Sequence, residues 1–228
     1  MKAVTDSDII ILGVDPSAVE VTLRETGIAE ALKGKLLISV AAGWPRERLE
    51  DFVFANASYG DERTWVLRTL PNVCAQVSQS LTAIEDPAED FPKHYMATTD
   101  AIFSCIGRAV RIAPRLMDAT TAVGGSTPAF WAVICDAFID AAVAIGLPRN
   151  IAQAQIYQSM RGAAEMLQSG VQPGELRDMG TSPEGCTIGG LMVLEEQGVR
   201  GGLQRGLREA VTIARGMGKM EHGNDTRR

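Results

Sequence analysis

Residues 181–198 read TSPEGCTIGGLMVLEEQG: a Ser-Pro turn and a glycine set directly before a helix that opens near Cys186 or Thr187. The first backbone N–H groups of a helix have no partner within it. Together with nearby hydroxyls they hold a small anion, above all a carboxylate. Ser182, Gly185 and Thr187 are the candidate ligands. The same residues also suit a plain helix cap, and their spacing alone does not choose between the two. A second stretch, VGGSTPAFW at 123–131, sets two glycines before Ser-Thr-Pro at another helix start.

The remaining polar candidates read more plainly. Asp136 and Asp140 stand four apart on one helix face, a spacing open to a metal or acid–base pair, but they fit better as the solvated stripe of an apolar helix. Asp118 fits a structural charge partner, and Glu195 with Glu196 a solvated helix end. Met160, Met166 and Met192 have core spacing. His94 reads as a surface residue, and nothing in the sequence orients it toward Cys105 as a catalytic dyad. No catalytic residue and no metal set is singled out.

These residues need elements to carry them. The first ninety or so residues alternate strand and helix, with strands expected at 8–14, 36–42, 65–70 and 80–85. Helices are expected at 17–32 and from Pro45, so strand-helix-strand spacing predicts a parallel sheet with right-handed crossovers. DIIILGV at 8–14 is apolar on successive residues, as in a strand covered on both faces. From Asp90 strand signals vanish, and helices are expected near 90–107, 114–122, 127–145, 149–168, 187–197 and 200–217. The stretch 127–145 is apolar nearly all round, so most of its faces need cover. A bundle this small cannot supply that alone, which predicts an obligate homo-oligomer.

Composition sets outer bounds. Of 228 residues, 46% are apolar and 22% charged, the balance of a globular chain. A net charge of −6 and few aromatics argue against nucleic acid. No signal-peptide pattern follows Met1, and the apolar run 133–145 reads as too short to span a membrane. Cys74, Cys105, Cys135 and Cys186 are widely spaced, as reduced thiols of a cytoplasmic protein would be. His94 and His222 form no ligand set with them.

Several segments, taken in order, resemble the pyrroline-5-carboxylate reductase family. They are ISVAAG (38–43), RTLPNVCAQVSQSLTA (68–83), MDATTAVGGSTPAF (117–130), GLPR (146–149), QPG (172–174) and the loop TSPEGCTI (181–188). The family's loop reads approximately Ser-Ser-Pro-Gly-Gly-x-Thr-Ile. The resemblance implies an α/β plus all-α fold: a partial Rossmann-like parallel sheet at 1–92, a helical dimerisation and substrate-binding domain at 93–220, and a flexible tail at 221–228. It implies reduction of a cyclic imine to proline with NADPH or NADH, in proline biosynthesis. The substrate carboxylate would meet Ser182, Gly185 and Thr187, and the cofactor Val14, Ala41, Ala42, Pro71 and Asn72. A homodimer or higher homo-oligomer and a small-molecule substrate follow, with no nucleic acid or membrane partner.

Some departures bear on that reading. The family's chain opens with a strand, a glycine-rich GxGxxG-like turn and a helix, which place pyrophosphate on a helix N-terminus. DIIILGV corresponds to its fourth strand, and no such fingerprint stands in this sequence. A chain shortened in this way is expected to bind dinucleotide weakly, or to use no cofactor, and to leave one strand edge uncovered. Asp15 replaces a lysine, setting a negative charge near the cofactor path, and Glu184 replaces the loop's first glycine. Two other functions are compatible: a cofactor-independent protein acting on or binding a small imine or amino-acid-like ligand, such as a cyclase, and a non-catalytic assembly partner.

Overall fold

The structure is a computed structural model and describes residues 2–54 and 63–217. The tail expected at 221–228 lies outside the described residues. In chain order the elements begin α1 (Lys2–Thr5), β1 (Ile9–Leu12), a 3-10 turn (Pro16–Ala18), α2 (Val19–Leu23), α3 (Ile28–Ala31), β2 (Leu36–Ser39) and α4 (Arg46–Phe54). They continue with β3 (Trp65–Leu70), a 3-10 turn (Val73–Val77), β4 (Ser80–Glu85), α5 (Lys93–Ser104), β5 (Gly107–Ile112) and a 3-10 turn (Pro114–Leu116). The chain ends in α6 (Met117–Gly125), α7 (Thr127–Ala144), α8 (Arg149–Gln168), α9 (Pro173–Met179), α10 (Cys186–Glu196) and α11 (Val199–Gly216). By contacts the chain forms two compact units, one running to Pro128 and resuming at Leu207, the other spanning Ala129–Gly206.

In the first unit the five strands lie in chain order, β1-β2-β3-β4-β5. Strands β1, β2 and β3 are parallel, with Leu12 opposite Ser39 and Ser39 opposite Arg68. All four residues of β2 are buried, Leu37 on one face and Leu36 with Ile38 on the other. Each such aliphatic side chain contributes about 1.5–3 kcal/mol by leaving water. Leu37 joins a cluster with Leu23, Leu32 and Leu49, while Ile38 joins Leu67, Ile84 and Phe103. This is two-faced cover for β2; β1, expected from its apolar run to be covered on both faces as well, stands at the end of the strand order with Ile11 50% exposed.

Three expectations about the sheet need correction. Strand β4 runs antiparallel to β3, not parallel, with Thr69 opposite Ile84. Only residues 71–79 join the two strands, and a parallel crossover takes about a dozen residues or more. A fifth strand, β5, falls in the stretch expected to be wholly helical, parallel to β4 from Gly107 to Ile112. Its sequence GRAVRI carries two exposed arginines and sits at the end of the strand order, so its apolar signal is weak. The helix expected at 17–32 is interrupted between Leu23 and Ile28, where Gly27 takes a left-handed conformation (φ 88°) that a helix interior excludes.

Helix α8, in the second unit, occupies the expected span, 149–168, and α7 begins at the expected Thr127. The helix α9 was not expected. The methionine expectation fails in the single chain: Met192 is 69% exposed and Met160 is exposed too. Helix α7 also leaves large apolar side chains open, including Val133, Phe138 and Trp131 at 55%. Taken from Pro114 to Ala144, the chain is long and apolar enough to cross a membrane by length and composition, longer than the run 133–145 suggests.

Candidate functional site

In the first unit the register of the parallel strands sets Leu12, Ser39 and Arg68 side by side. Val14, Ala41–Ala42 and Pro71–Asn72 therefore emerge together at the carboxyl ends of three neighbouring strands. Ligands of open α/β sheets bind in that position. Val14 packs against the core that holds Ala41. Ala41 is buried and donates its N–H to the Ser39 hydroxyl at 3.3 Å. Trp44 donates its ring N–H to the Pro16 carbonyl at 2.8 Å, tying the loop after β1 to the loop after β2.

Asn72 is heavily engaged within the protein. Its backbone N–H donates to the Ser80 hydroxyl at 3.0 Å, and its Oδ1 accepts from the Cys74 N–H at 3.0 Å. Its Nδ2 donates to the Gly124 carbonyl at 2.8 Å, fifty-two residues along the chain. Asp15 likewise uses its carboxylate locally, capping the turn at 16–18 by accepting from the Ser17 N–H and hydroxyl. Those hydrogen bonds hold its carboxyl below the ordinary range. The charge that the sequence sets near the cofactor path thus serves first as a cap.

Beside the turn at 71–72 the sheet buries an ionic chain that sequence reasoning missed. Arg68 is 5% exposed and Glu85 1%. Arg68 Nη1 donates to Glu85 Oε2 at 3.2 Å, and Arg68 Nη2 lies 3.7 Å from Asp118 Oδ1. Arg46 Nη1 stands 3.7 Å from Glu85 Oε1. Burial pushes the Glu85 carboxyl above its ordinary range, with Arg68 and Arg46 offsetting part of the effect. The signal was available: an arginine inside WVLRTL and a glutamate ending SLTAIE interrupt otherwise apolar strands. Asp118 is the structural charge partner that the sequence suggests.

In the second unit the loop before α10 is built around glycine. Gly185 precedes the first helical residue with no side-chain cap bond, and its N–H donates to the Ser182 carbonyl at 3.0 Å. A Cβ at Gly185 would lie 2.5 Å from Ser182 Oγ. Ser182 and Thr187 are exposed; Ser182 precedes α10 and Thr187 is its second residue. Ser182 and Gly185 lie in the loop before α10 and Thr187 in its first turn, while the five residues at the strand ends share one edge of the other unit. Glu184 is exposed and adopts φ 58°, the conformation that glycine takes without steric conflict. Glu184→Gly is expected to raise stability by about 0.5–1 kcal/mol, net of glycine's greater freedom when unfolded. Urea melts that show a loss instead would refute the strain.

The other candidates resolve as structural. Asp140 pairs with Arg149 at 2.6 Å and Asp136 is exposed, so the two do not form a dyad. Glu195 pairs with Arg200 at 2.6 Å on an exposed helix end. His94 is exposed, with its ring 4.2 Å from that of Tyr95. Among the described residues no group of acidic, histidine or cysteine side chains could hold a metal ion.

A mostly parallel sheet open at its strand ends, followed along the chain by an apolar helical unit, defines the class as α/β plus all-α with a Rossmann-like first part. The family profile described as "Pyrroline-5-carboxylate reductase dimerisation" matches residues 114–217, and one described as "NADP oxidoreductase coenzyme F420-dependent" matches residues 1–43. A pyrroline-5-carboxylate reductase of Lophium arboricola is 43% identical, covering 100% of this chain and 72% of its own length. One of Neurospora crassa is 36% identical with the same two coverages. The crystal structure of Plasmodium falciparum pyrroline carboxylate reductase with NADP bound superposes with a TM-score of 0.85 at 26% identity, over 96% of this chain and 80% of that one. The chain belongs to the pyrroline-5-carboxylate reductase family.

Membership makes the helical region a dimerisation region and the protein a homo-oligomer. In the second unit, α7 and α8 flank an apolar groove of about 570 Å³ lined by Trp131, Phe138, Met160 and Leu167. A nicotinamide-type cofactor accords with the family, and the alternative without any cofactor gains no support from these similarities.

Proposed function

We propose that this chain reduces the cyclic imine of pyrroline-5-carboxylate to proline, with NADPH or NADH as hydride donor. The observation that carries the reading is the shared edge formed by Val14, Ala41–Ala42 and Pro71–Asn72, in a chain of this family. The residues there suit the nicotinamide end of a dinucleotide: small or apolar side chains beside a turn fixed by hydrogen bonds. When bound, that cofactor supplies the hydride. Val14 and the alanines offer it an apolar wall, and the turn at 71–72 sets its depth.

Ser182, Gly185 and Thr187 hold the substrate carboxylate in this reading, through hydroxyls and the free N–H groups opening α10. A protonated imine is already electrophilic, so binding and orientation supply most of the rate and no general acid is required of the chain. Glu184 opposes the carboxylate by charge, so Glu184→Gly also lowers the KM for the imine. The protein works in the cytoplasm as a dimer or larger assembly, with neither nucleic acid nor membrane as partner. The free state of all four cysteines supports that location.

The test is a titration with NADPH, followed by nicotinamide fluorescence, together with turnover of pyrroline-5-carboxylate. Binding near micromolar concentration with turnover supports the reading, and no binding even at about millimolar concentration ends it.

A further inference from the structure

Helix α6 is fastened at both ends to the two residues that bracket the β3 end. Arg68, two residues before β3 stops, reaches Asp118 in the first turn of α6, with 3.7 Å between Nη2 and Oδ1. Asn72, just past the end of β3, donates to the carbonyl of Gly124 in the last turn of α6 at 2.8 Å. The helix also packs on β3 and β4 between these ties. All of these residues belong to the first unit.

The first tie has an unusual foundation. Arg68 is buried, and its Nη2 has no hydrogen-bond partner among the described residues, as is also true of Glu85 Oε1. A buried ion pair is weak evidence for stability, because desolvation opposes the attraction; its better-attested use is to fix one arrangement among several. Here Glu85 aims the guanidinium along the sheet, and the guanidinium's other arm meets Asp118. The second tie consumes the Asn72 amide, whose Oδ1 also caps the turn that follows. The side chain of Asn72 is thereby directed into the protein.

We propose that α6 is a brace for the turn at 71–72 and that Asp118 is a positioning residue, holding through Arg68 the backbone against which the nicotinamide end of the cofactor rests. The inference deepens the reductase reading and depends on it for the cofactor. Asp118 touches neither cofactor nor substrate in this scheme. Its carboxylate keeps Arg68 engaged and α6 seated, so the turn keeps its depth at the strand ends.

The test compares the protein with its Asp118→Asn and Asp118→Glu variants. Asp118→Asn is expected to raise the KM for NADPH about fivefold while kcat stays within about twofold, and Asp118→Glu to restore most of the loss. A purely structural role would instead lower kcat and thermal stability together, without rescue by glutamate, and that pattern overturns the proposal. Amide hydrogen exchange supplies a readout free of the cofactor. In Asp118→Asn the N–H groups of Cys74 and Ala75 are expected to exchange about threefold faster or more, while those of β2 stay unchanged. Unchanged exchange at Cys74 and Ala75 rejects the brace whatever the kinetics show. Should the wild-type protein fail to bind NADPH, the reductase reading falls by itself, and the exchange comparison still decides whether α6 holds the turn.

Discussion

Gly185→Ala is expected to raise the KM for the imine substrate by about 10-fold to 100-fold, the effect of losing one hydrogen bond to a charged group. The cause is steric and local. An added Cβ would stand 2.5 Å from the Ser182 hydroxyl and 3.0 Å from its carbonyl oxygen. The hydroxyl can swing aside, but it then leaves the position from which it would hold a carboxylate. The carbonyl has less freedom, because it accepts the Gly185 N–H that closes the turn. The loop is exposed, so the melting temperature should change little. Ser182→Ala provides the control: it should raise KM by a similar factor, and the double variant should add little to either alone. If Gly185→Ala leaves KM untouched, the loop does not hold the substrate in the manner proposed.

Gly107→Ala is expected to have the largest effect on stability, about 3 kcal/mol or more, through strain and overpacking that no rotamer can relieve. Gly107 has φ 146°, and a Cβ there would lie 2.0 Å from the carbonyl oxygen of Ser80 and 2.5 Å from its nitrogen. These are backbone atoms of the neighbouring strand, in the pair that opens the β4–β5 ladder. Strand β5 would have to move off β4 at this point. The disturbance would extend further, because the Ser80 hydroxyl receives the Asn72 N–H. Denaturant unfolding monitored by circular dichroism measures the loss, and a change under about 1 kcal/mol contradicts the close approach on which the argument rests.

Much of the architecture was legible because the signals were local. Arg149 to Gln168 is bounded by Pro148 and by Ser169-Gly170, and its helix has the expected limits. The apolar run at Leu36–Ser39 announces a strand covered on both faces, and the structure buries every residue of it. The direction of β4 was obscured by reading each strand separately: the short link 71–79 already forbids a parallel return. Strand β5 escaped because Arg108 and Arg111 leave a short sheet-edge segment little apolar content.

The site divides in the same way. The glycine of the loop at 181–188 was legible as a turn residue, and its close approach to Ser182 gives that reading a steric basis. What the sequence hid was the commitment of polar atoms. The family resemblance implies that Asn72 meets the cofactor, while its amide joins Cys74 to Gly124 across a long chain separation. Arg68 and Glu85 find one another only because β3 and β4 run in opposite directions. Long-range pairings of this kind depend on topology, so no local pattern announces them.

The positions of the three tryptophans have a practical consequence. Trp44 and Trp65 lie in the sheet-bearing unit, the first buried with its ring N–H bonded to Pro16 and the second beside Phe91. Trp131 alone stands on the open apolar flank of α7. Should two copies meet there, water would leave this indole, and the colour of the protein's own emission would gauge that contact.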